Sequence, residues 1–233
     1  MNFSDPLFWT SLVEIIGINV VLSGDNAVVI ALAARSLQAR QQKLAIAFGS
    51  AAAIVLRILL TVFAAQLLGF AWLKLAGATL LLWIGVQLFL DEEEGAGGVE
   101  PTRSLVGAIR TILVADLVMS LDNVIGVAAA AKGSLPLLVI GLALSIPLIV
   151  FSSTLILKAM QRFPVIITVG AGLIGFVAGQ MAWTDPAIGE WTRDLPGVAE
   201  YAAGVAGAAF VIVAGRLRAR RAAGADGKAA GGA

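Results

Sequence analysis

Two short polar phrases interrupt long apolar stretches of this sequence, at Leu22–Asn26 and at Met119–Asn123. Each phrase contains serine, aspartate and asparagine in the order Ser-x-Asp-Asn, and the two copies are 97 residues apart. Ionisable side chains are rare in apolar segments that are long enough to cross a bilayer, and they mark functional sites by default. The constant spacing indicates an internal repeat in which both copies contribute to one site.

The phrases and the polar residues one helical turn before them offer side-chain oxygens to a cation. Carboxylate, amide and hydroxyl oxygens suit Mg²⁺, Ca²⁺ and Mn²⁺. Because the chain has no His and no Cys, we expect a metal site built from oxygen ligands alone. The same carboxylates could instead carry protons. The candidate ligands are Asn19, Ser23, Asp25, Asn26, Asp116, Ser120, Asp122 and Asn123.

The two copies of the phrase differ at one backbone position, which is Gly24 in the first and Leu121 in the second. On an ideal helix, neighbouring residues such as Asp25 and Asn26 point about 100° apart, so a straight helix would not aim both at one point. A helix break at Gly24 would free backbone carbonyls as further ligands, which is tolerated where a helix lines a cavity. We expect such a break in the first copy and a continuous helix in the second.

Arg57 lies near the middle of a predicted span, and Thr154 stands at the matching position of the second half. Arg57 could form a buried ion pair with Asp25, Asp116 or Asp122, or it could act as a built-in cation that competes with a substrate and gates the site. One arginine cannot neutralise three carboxylates, so at least one of them is left for a cation or a proton.

The composition is that of an integral membrane protein. The chain is 59% hydrophobic and 13% charged, with a mean hydropathy of +0.95, whereas soluble domains carry about 25% charged residues. The basic residues are scattered between apolar segments, which argues against nucleic-acid binding. No nucleophile with a nearby base and no phosphate-binding loop is recognisable. The sequence therefore predicts a protein that is not an enzyme and has no prosthetic group.

Seven apolar segments reach the length of about 20 residues that a bilayer span requires, which predicts an all-α polytopic membrane protein with seven transmembrane helices. They lie at residues 7–34, 44–69, 71–90, 105–131, 135–157, 164–183 and 197–215. We expect residues 1–215 to form a single transmembrane domain in the lipid bilayer, and the basic residues 216–233 to form a disordered cytoplasmic tail.

The distribution of Lys and Arg between the connections predicts the orientation. If the N-terminus lies outside, only Lys74, Lys132 and Arg193 fall on the outer side, and the other basic residues outside the spans fall on the inner side. The N-terminus lacks the basic residues and cleavage site of a signal peptide, so we expect the first apolar segment to be retained. The prediction is a multi-pass protein of the cell membrane, with its N-terminus outside and its C-terminus in the cytoplasm.

The predicted spans divide into two units of three, at residues 7–90 and 105–183. An odd number of spans inverts the second unit relative to the first, which predicts an inverted repeat with a pseudo-two-fold axis in the membrane plane. Antiparallel packing of the first and fourth spans would bring the two phrases together near the midplane. The seventh helix, at 197–215, lies outside the repeat and is expected to brace the bundle or to form a contact in a homo-oligomer.

The segments INVVLSGDNAVVIALAARSL and DLVMSLDNVIGVAAAA resemble the TerC family of integral membrane proteins, close to its YjbE-type branch. The resemblance extends over roughly residues 7–215. It implies a multi-span protein associated with manganese efflux and tellurite resistance. The correspondence is direct for Asp25, Asn26, Asp122 and Asn123, and by position for Ser23, Ser120 and Asp116. Many relatives have an acidic residue where this chain has Asn19, so its first half-site carries less charge.

Three functions remain open at this point. The leading hypothesis is a transporter that exports a divalent cation, with Mn²⁺ as the substrate that the resemblance implies. The second is a non-transporting membrane partner that acts in metal homeostasis or tellurite resistance. The third is a proton-coupled carrier of another small solute, for which Arg57 could supply a positive charge.

Overall fold

The computed structural model describes residues 6–22, 24–67, 70–96, 104–131, 134–192 and 195–230. These residues form an all-helical bundle in which no strand is present, so the predicted all-α fold class is confirmed. The helices are α1 (Pro6–Leu22), α2 (Gly24–Ala34), α3 (Ala39–Leu67), α4 (Leu73–Ala96), α5 (Leu105–Ala130), α6 (Leu135–Arg162), α7 (Val165–Trp183), α8 (Gly189–Thr192) and α9 (Val198–Ala230).

Five helices in the described part of the chain are long and apolar enough to cross a membrane, namely α3, α4, α6, α7 and α9. Helices α1 and α2 supply a sixth span if the bent pair crosses as one. Helix α5 is not among them, and its 26 residues include Arg110, Asp116 and Asp122. The structure therefore supports five or six spans, and the predicted number of seven is not confirmed.

The helix break expected beside Gly24 is present. Helix α1 ends at Leu22 and α2 begins at Gly24. The segments Phe8–Asn19 and Gly24–Ala34 are bent by 50° relative to each other. In contrast, α5 passes through Leu121 without interruption. The predicted asymmetry between the two phrases is thus confirmed, and it places Asp25 in the first turn of a new helix.

Several helices extend beyond the apolar segments that predicted them. Helix α9 continues past residue 215 to Ala230, into the segment for which the sequence predicted a disordered tail. Hydropathy marks only the part of a helix that is apolar, whereas Ala, Arg, Lys and Glu at its ends are good helix formers. For the same reason α3 begins at residue 39 and α4 continues to residue 96.

The two halves of the chain pack mainly against each other. Helices α1 and α2 contact α6, α3 contacts α5 and α6, and α4 contacts α7. These contacts are symmetric if α1 and α2 correspond to α5, α3 to α6, and α4 to α7. The contact of α1 and α2 with α6 then corresponds to the contact of α5 with α3, and the α3–α6 and α4–α7 contacts each correspond to themselves. Two structurally equivalent units would give this pattern. The orientation of the units relative to a membrane stays a prediction.

Helix α9 packs along α7 through small residues. A Cβ atom added at Gly175 would meet the Gly207 carbonyl, and one added at Gly179 would meet the Ala203 carbonyl. Small residues at such crossings let two helix backbones approach closely, which strengthens dispersion contacts in a membrane. Helix α9 also contacts α4, so it braces the third helix of each half.

Candidate functional site

Arg57 is buried in the middle of α3, with 1% of its surface exposed. Its Nη1 donates to Asn19 Oδ1 at 2.6 Å, its Nη2 to Asp116 Oδ1 at 2.5 Å, and its Nε to Ser120 Oγ at 2.9 Å. The Ser120 hydroxyl donates in turn to Asp116 Oδ2 at 3.3 Å. Of the carboxylates that the sequence left open, Asp116 forms an ion pair with Arg57, while the side chain of Asp122 is outside the described part of the structure.

This Arg57 cluster, formed by Asn19, Arg57, Asp116 and Ser120, connects both halves of the repeat. Asn19 and Asp116 occupy matching positions of the two halves, and the guanidinium donates to both of them. Thr154, the counterpart of Arg57, donates instead to the Val150 carbonyl of its own helix at 2.7 Å. One half thus contributes a cation to a position where the other half has none.

The Arg57 cluster cannot bind a metal ion while it keeps this arrangement. Oxygens of Asn19, Asp116 and Ser120 accept hydrogen bonds from a positive group that would repel a second cation at the same place. Within the described residues, no group of three or more Asp or Glu side chains could hold a metal ion. Three members of the predicted ligand set therefore accept hydrogen bonds from Arg57 in this structure.

A second polar region is a cavity of about 300 Å³, here called the Asp25 cavity. Asp25 from the first phrase and Asn123 from the second both line it, so the two phrases do meet at one place. Its wall combines charged, amide, hydroxyl and thioether groups. The other lining residues are Lys74, Met119, Val177, Gln180, Met181, Thr184 and Glu200.

The Asp25 cavity runs along the last two turns of α7, from Val177 to Thr184, a length of about 10 Å at 1.5 Å per residue. Val28, one turn beyond Asp25 in α2, packs beside Gly170 near the opposite end of α7. Asp25 consequently lies at the deep end of the cavity. Thr184 lies at its rim, where its hydroxyl accepts a hydrogen bond from Lys74 Nζ at 3.2 Å.

In the first phrase, the buried Asn26 side chain has polar atoms without a hydrogen-bond partner in the described part of the chain. One oxygen of the half-buried Asp25 carboxylate accepts a hydrogen bond from the Asn26 backbone N–H at 2.8 Å. The Asn26 side chain is only 3% exposed, and neither its oxygen nor its nitrogen has a hydrogen-bond partner among the described residues. Buried amides are normally satisfied, and an exception calls for an explanation such as a bound ion or water.

Two predicted ligands cannot be placed. Ser23 lies outside the described residues, and Asp122 belongs to α5 with a side chain that is likewise outside the described part of the structure. The predicted set therefore separates into Asn19, Asp116 and Ser120 in the Arg57 cluster, Asp25 and Asn123 on the cavity wall, and the buried Asn26.

The rim of the cavity is held by Asp185, which lies in the connection after α7 and was not among the predicted site residues. Its carboxylate accepts backbone hydrogen bonds from Trp72 at 3.0 Å, Leu75 at 2.9 Å and Ala187 at 2.7 Å. Burial opposes ionisation of Asp185, but these backbone donors, together with that of Lys74, hold its pKa below the usual value. Trp72 has a φ of 72°, a region that favours glycine, so its anchored N–H matters for the start of α4.

Sequence reasoning also missed the methionines that line the cavity. The expectation of oxygen ligands alone considered His and Cys, but Met119 and Met181, which carry thioether groups, are among the lining residues. Met119 stands inside the second phrase, so its position was a usable signal. Lys74, Thr184 and Glu200 come from separate helices or connections, and only the folded bundle brings them together.

The architecture and the buried polar residues define an integral membrane protein with several apolar helices. The chain belongs to the TerC family of integral membrane proteins, whose family model matches residues 4–223. The resemblance found from the two phrases is thereby confirmed.

Individual relatives agree with this assignment. The chain is 42% identical over 204 residues to the uncharacterized membrane protein YjbE of Bacillus subtilis, covering 88% of this chain and 93% of that one. It is 27% identical to YceF of the same organism, covering 77% and 73%. It is 25% identical to the inner membrane protein YgdQ of Escherichia coli K12, covering 69% and 75%. No solved structure matches the chain significantly.

Proposed function

We propose that this protein is a transporter that exports a divalent metal cation, with Mn²⁺ as its substrate. The observation that carries the proposal is the Asp25 cavity, where residues of both phrases line the same space. Asp25 supplies negative charge at the deep end, and Asn123, Gln180 and Thr184 supply neutral oxygens. These are the donor types that bind divalent cations of this class.

The separation of the two polar regions supports a site that is free for a substrate cation. Arg57 compensates the charge of Asp116, so that carboxylate can stay buried without a metal. The Asp25 carboxylate accepts a hydrogen bond from the Asn26 backbone N–H, and the buried Asn26 amide beside it has no partner within the described protein. A cation in this region would neutralise the carboxylate and offer the amide oxygen a ligand role.

The proposed topology places the protein in the cell membrane with its N-terminus outside. The connection before α4 and the connection after α7 then face the outside, and with them Lys74 and Thr184 at the rim of the cavity. In that topology the structure represents an outward-open arrangement. Alternating access between the two halves would carry the cation from the cytoplasm to this cavity.

The test is Mn²⁺ flux into liposomes that contain the purified protein. We expect Asp25→Asn and Asp122→Asn to abolish flux while the protein remains monodisperse and membrane-inserted. Glu190→Gln, an exposed carboxylate on α8, is the matched control and should transport normally. Undiminished flux in both aspartate variants would refute the proposal.

A non-transporting metal-binding partner is the second candidate, and the Arg57 cluster favours it. Arg57 contacts both halves, so it would resist a motion that separates Asn19 from Asp116. Mn²⁺ binding that requires Asp25, without flux in either direction or with a proton gradient, would select this function. A carrier that binds an anion through Arg57 is less favoured, because its guanidinium already donates to Asp116, Asn19 and Ser120.

A further inference from the structure

Two of the residues that line the Asp25 cavity, Met119 and Met181, carry a thioether group. The whole chain contains only four methionines, so half of them line this one space. Both side chains are otherwise enclosed, at 4% and 1% exposure. A thioether is a soft, neutral ligand, and it differs in this respect from every oxygen on the same wall.

We propose that the thioethers of Met119 and Met181 determine the specificity of the cavity, by favouring softer divalent metal cations over Mg²⁺ and Ca²⁺. The inference rests on the proposed function, since it concerns the same site and the same class of substrate. Asp25 and the amide oxygens would bind any divalent cation. A thioether in place of a water or oxygen ligand weakens the binding of hard ions and is tolerated by transition-metal ions.

Packing is the competing explanation for both methionines, because methionine fills irregular gaps in cores. Met181 does have a packing role: a Cβ added at Gly77 would lie 2.8 Å from its Cε and 3.6 Å from its Sδ. The test must therefore remove sulfur and keep volume. Methionine and leucine are close in volume, and their exchange is well tolerated in cores.

Met160 is the matched control for these exchanges. It is buried to the same extent, at 2% exposure, but it lies in α6 and not on the cavity wall. Met160→Leu reports what the loss of a buried thioether does elsewhere in the bundle. Any change confined to Met119→Leu and Met181→Leu then belongs to the cavity.

The experiment measures the affinities of Cd²⁺ and Ca²⁺ for the purified full-length protein in lipid nanodiscs, by calorimetric titration. These two ions are similar in size and differ in softness, so their affinity ratio reports sulfur coordination. We expect the wild type to prefer Cd²⁺, and each cavity variant to reduce that preference by about tenfold or more, as the loss of a group that shapes a metal site does. Met160→Leu should match the wild type.

The proposal is overturned if the affinity ratio is unchanged in both cavity variants, or if Met160→Leu changes it equally. If Met181→Leu fails to fold because of its contact with Gly77, Met119→Leu alone decides. The binding readout is independent of transport. If the affinity ratio depends on the methionines but the protein shows no flux, the transporter proposal is rejected and the specificity proposal is kept. If flux requires Asp25 but the ratio is unchanged in the methionine variants, the transporter proposal is kept and the specificity proposal is rejected.

Discussion

The Arg57 cluster and the Asp25 cavity both contain residues of the duplicated phrases or of the polar positions one turn before them, but they are opposite kinds of polar site. In the cluster, a buried cation donates to three side-chain oxygens at 2.5–2.9 Å, and its carboxylate partner is 6% exposed. In the cavity, a half-buried carboxylate faces a space of about 300 Å³. In the Arg57 cluster, the charges of Arg57 and Asp116 compensate each other. In the Asp25 cavity, the carboxylate faces open space in which a cation could bind.

Helix α5 explains how one phrase serves both sites. Asp116 and Ser120 are four residues apart and face Arg57, while Met119 and Asn123 are four residues apart and line the cavity. Residues spaced by four share one helical face, and the two pairs differ by three residues, so their faces are adjacent. Matched sequence positions in a repeat therefore need not have matched roles, since part of the predicted ligand set hydrogen-bonds to Arg57 and does not line the cavity.

The largest expected effect comes from removing the negative charge in the Arg57 cluster. Asp116→Asn would leave the Arg57 guanidinium buried without its counter-ion, which typically destabilises a protein by about 3–5 kcal/mol. Unfolding in mixed micelles, followed by circular dichroism, measures this loss. Glu190→Gln, the same chemical change at an exposed position, should have little effect. A loss below about 1 kcal/mol in Asp116→Asn would show that the ion pair is not needed.

The Asp25 cavity should respond in the opposite way to the same kind of change. We expect Asp25→Asn to unfold like the wild type without metal, but to lose the stabilisation that bound cation provides. That stabilisation is about 2.7 kcal/mol at a free Mn²⁺ concentration of 100 times the dissociation constant. Parallel unfolding curves with and without Mn²⁺ measure it. Equal stabilisation of both proteins by Mn²⁺ would place the binding site elsewhere.

Replacing the whole ion pair tests whether the cluster is structural. Arg57→Met combined with Asp116→Leu removes both charges together, so no uncompensated charge stays buried. The double variant should lose about 1–2 kcal/mol, much less than Asp116→Asn alone, because neutral groups such as Asn19 and Ser120 lose a partner but no charge is left uncompensated in the pair. Cation binding should persist, since Asp25 and Asn123 are unchanged. Loss of binding in a stably folded double variant would instead make the cluster part of the metal site.

The sequence sufficed for the features that follow from local chemistry. Apolar segments predicted most of the helices, Gly24 predicted the break, and an ion pair of Arg57 with Asp116 was one of the alternatives that the sequence left open. The remaining features depend on packing between distant segments. The spacing of Asn19 and Asp116 does not reveal that both lie within 2.6 Å of one guanidinium. The polar helix ends were missed because hydropathy does not register them.

The smallest expected effect concerns the rim that Asp185 holds. Asp185 accepts hydrogen bonds from the backbone on both sides of Lys74, which lines the Asp25 cavity, so it positions the rim without touching the deep end. Because these donors lower the pKa of Asp185, its stabilising contribution is complete above the ordinary aspartate pKa of about 3.9. The contribution is lost as the pH falls through the lower pKa of the folded protein.

Asp185→Asn removes the charge that accepts these hydrogen bonds and should destabilise the protein by about 1 kcal/mol, the usual effect of losing a helix cap. Measured by thermal unfolding, the difference from the wild type should be constant between about pH 5 and pH 7 and should shrink below about pH 4. Mn²⁺ affinity should fall only slightly, because Asp25 keeps its place. If the affinity fell as far as in Asp25→Asn, the contrast between a binding deep end and a supporting rim would be wrong, and the rim would have to contribute to the cation site itself.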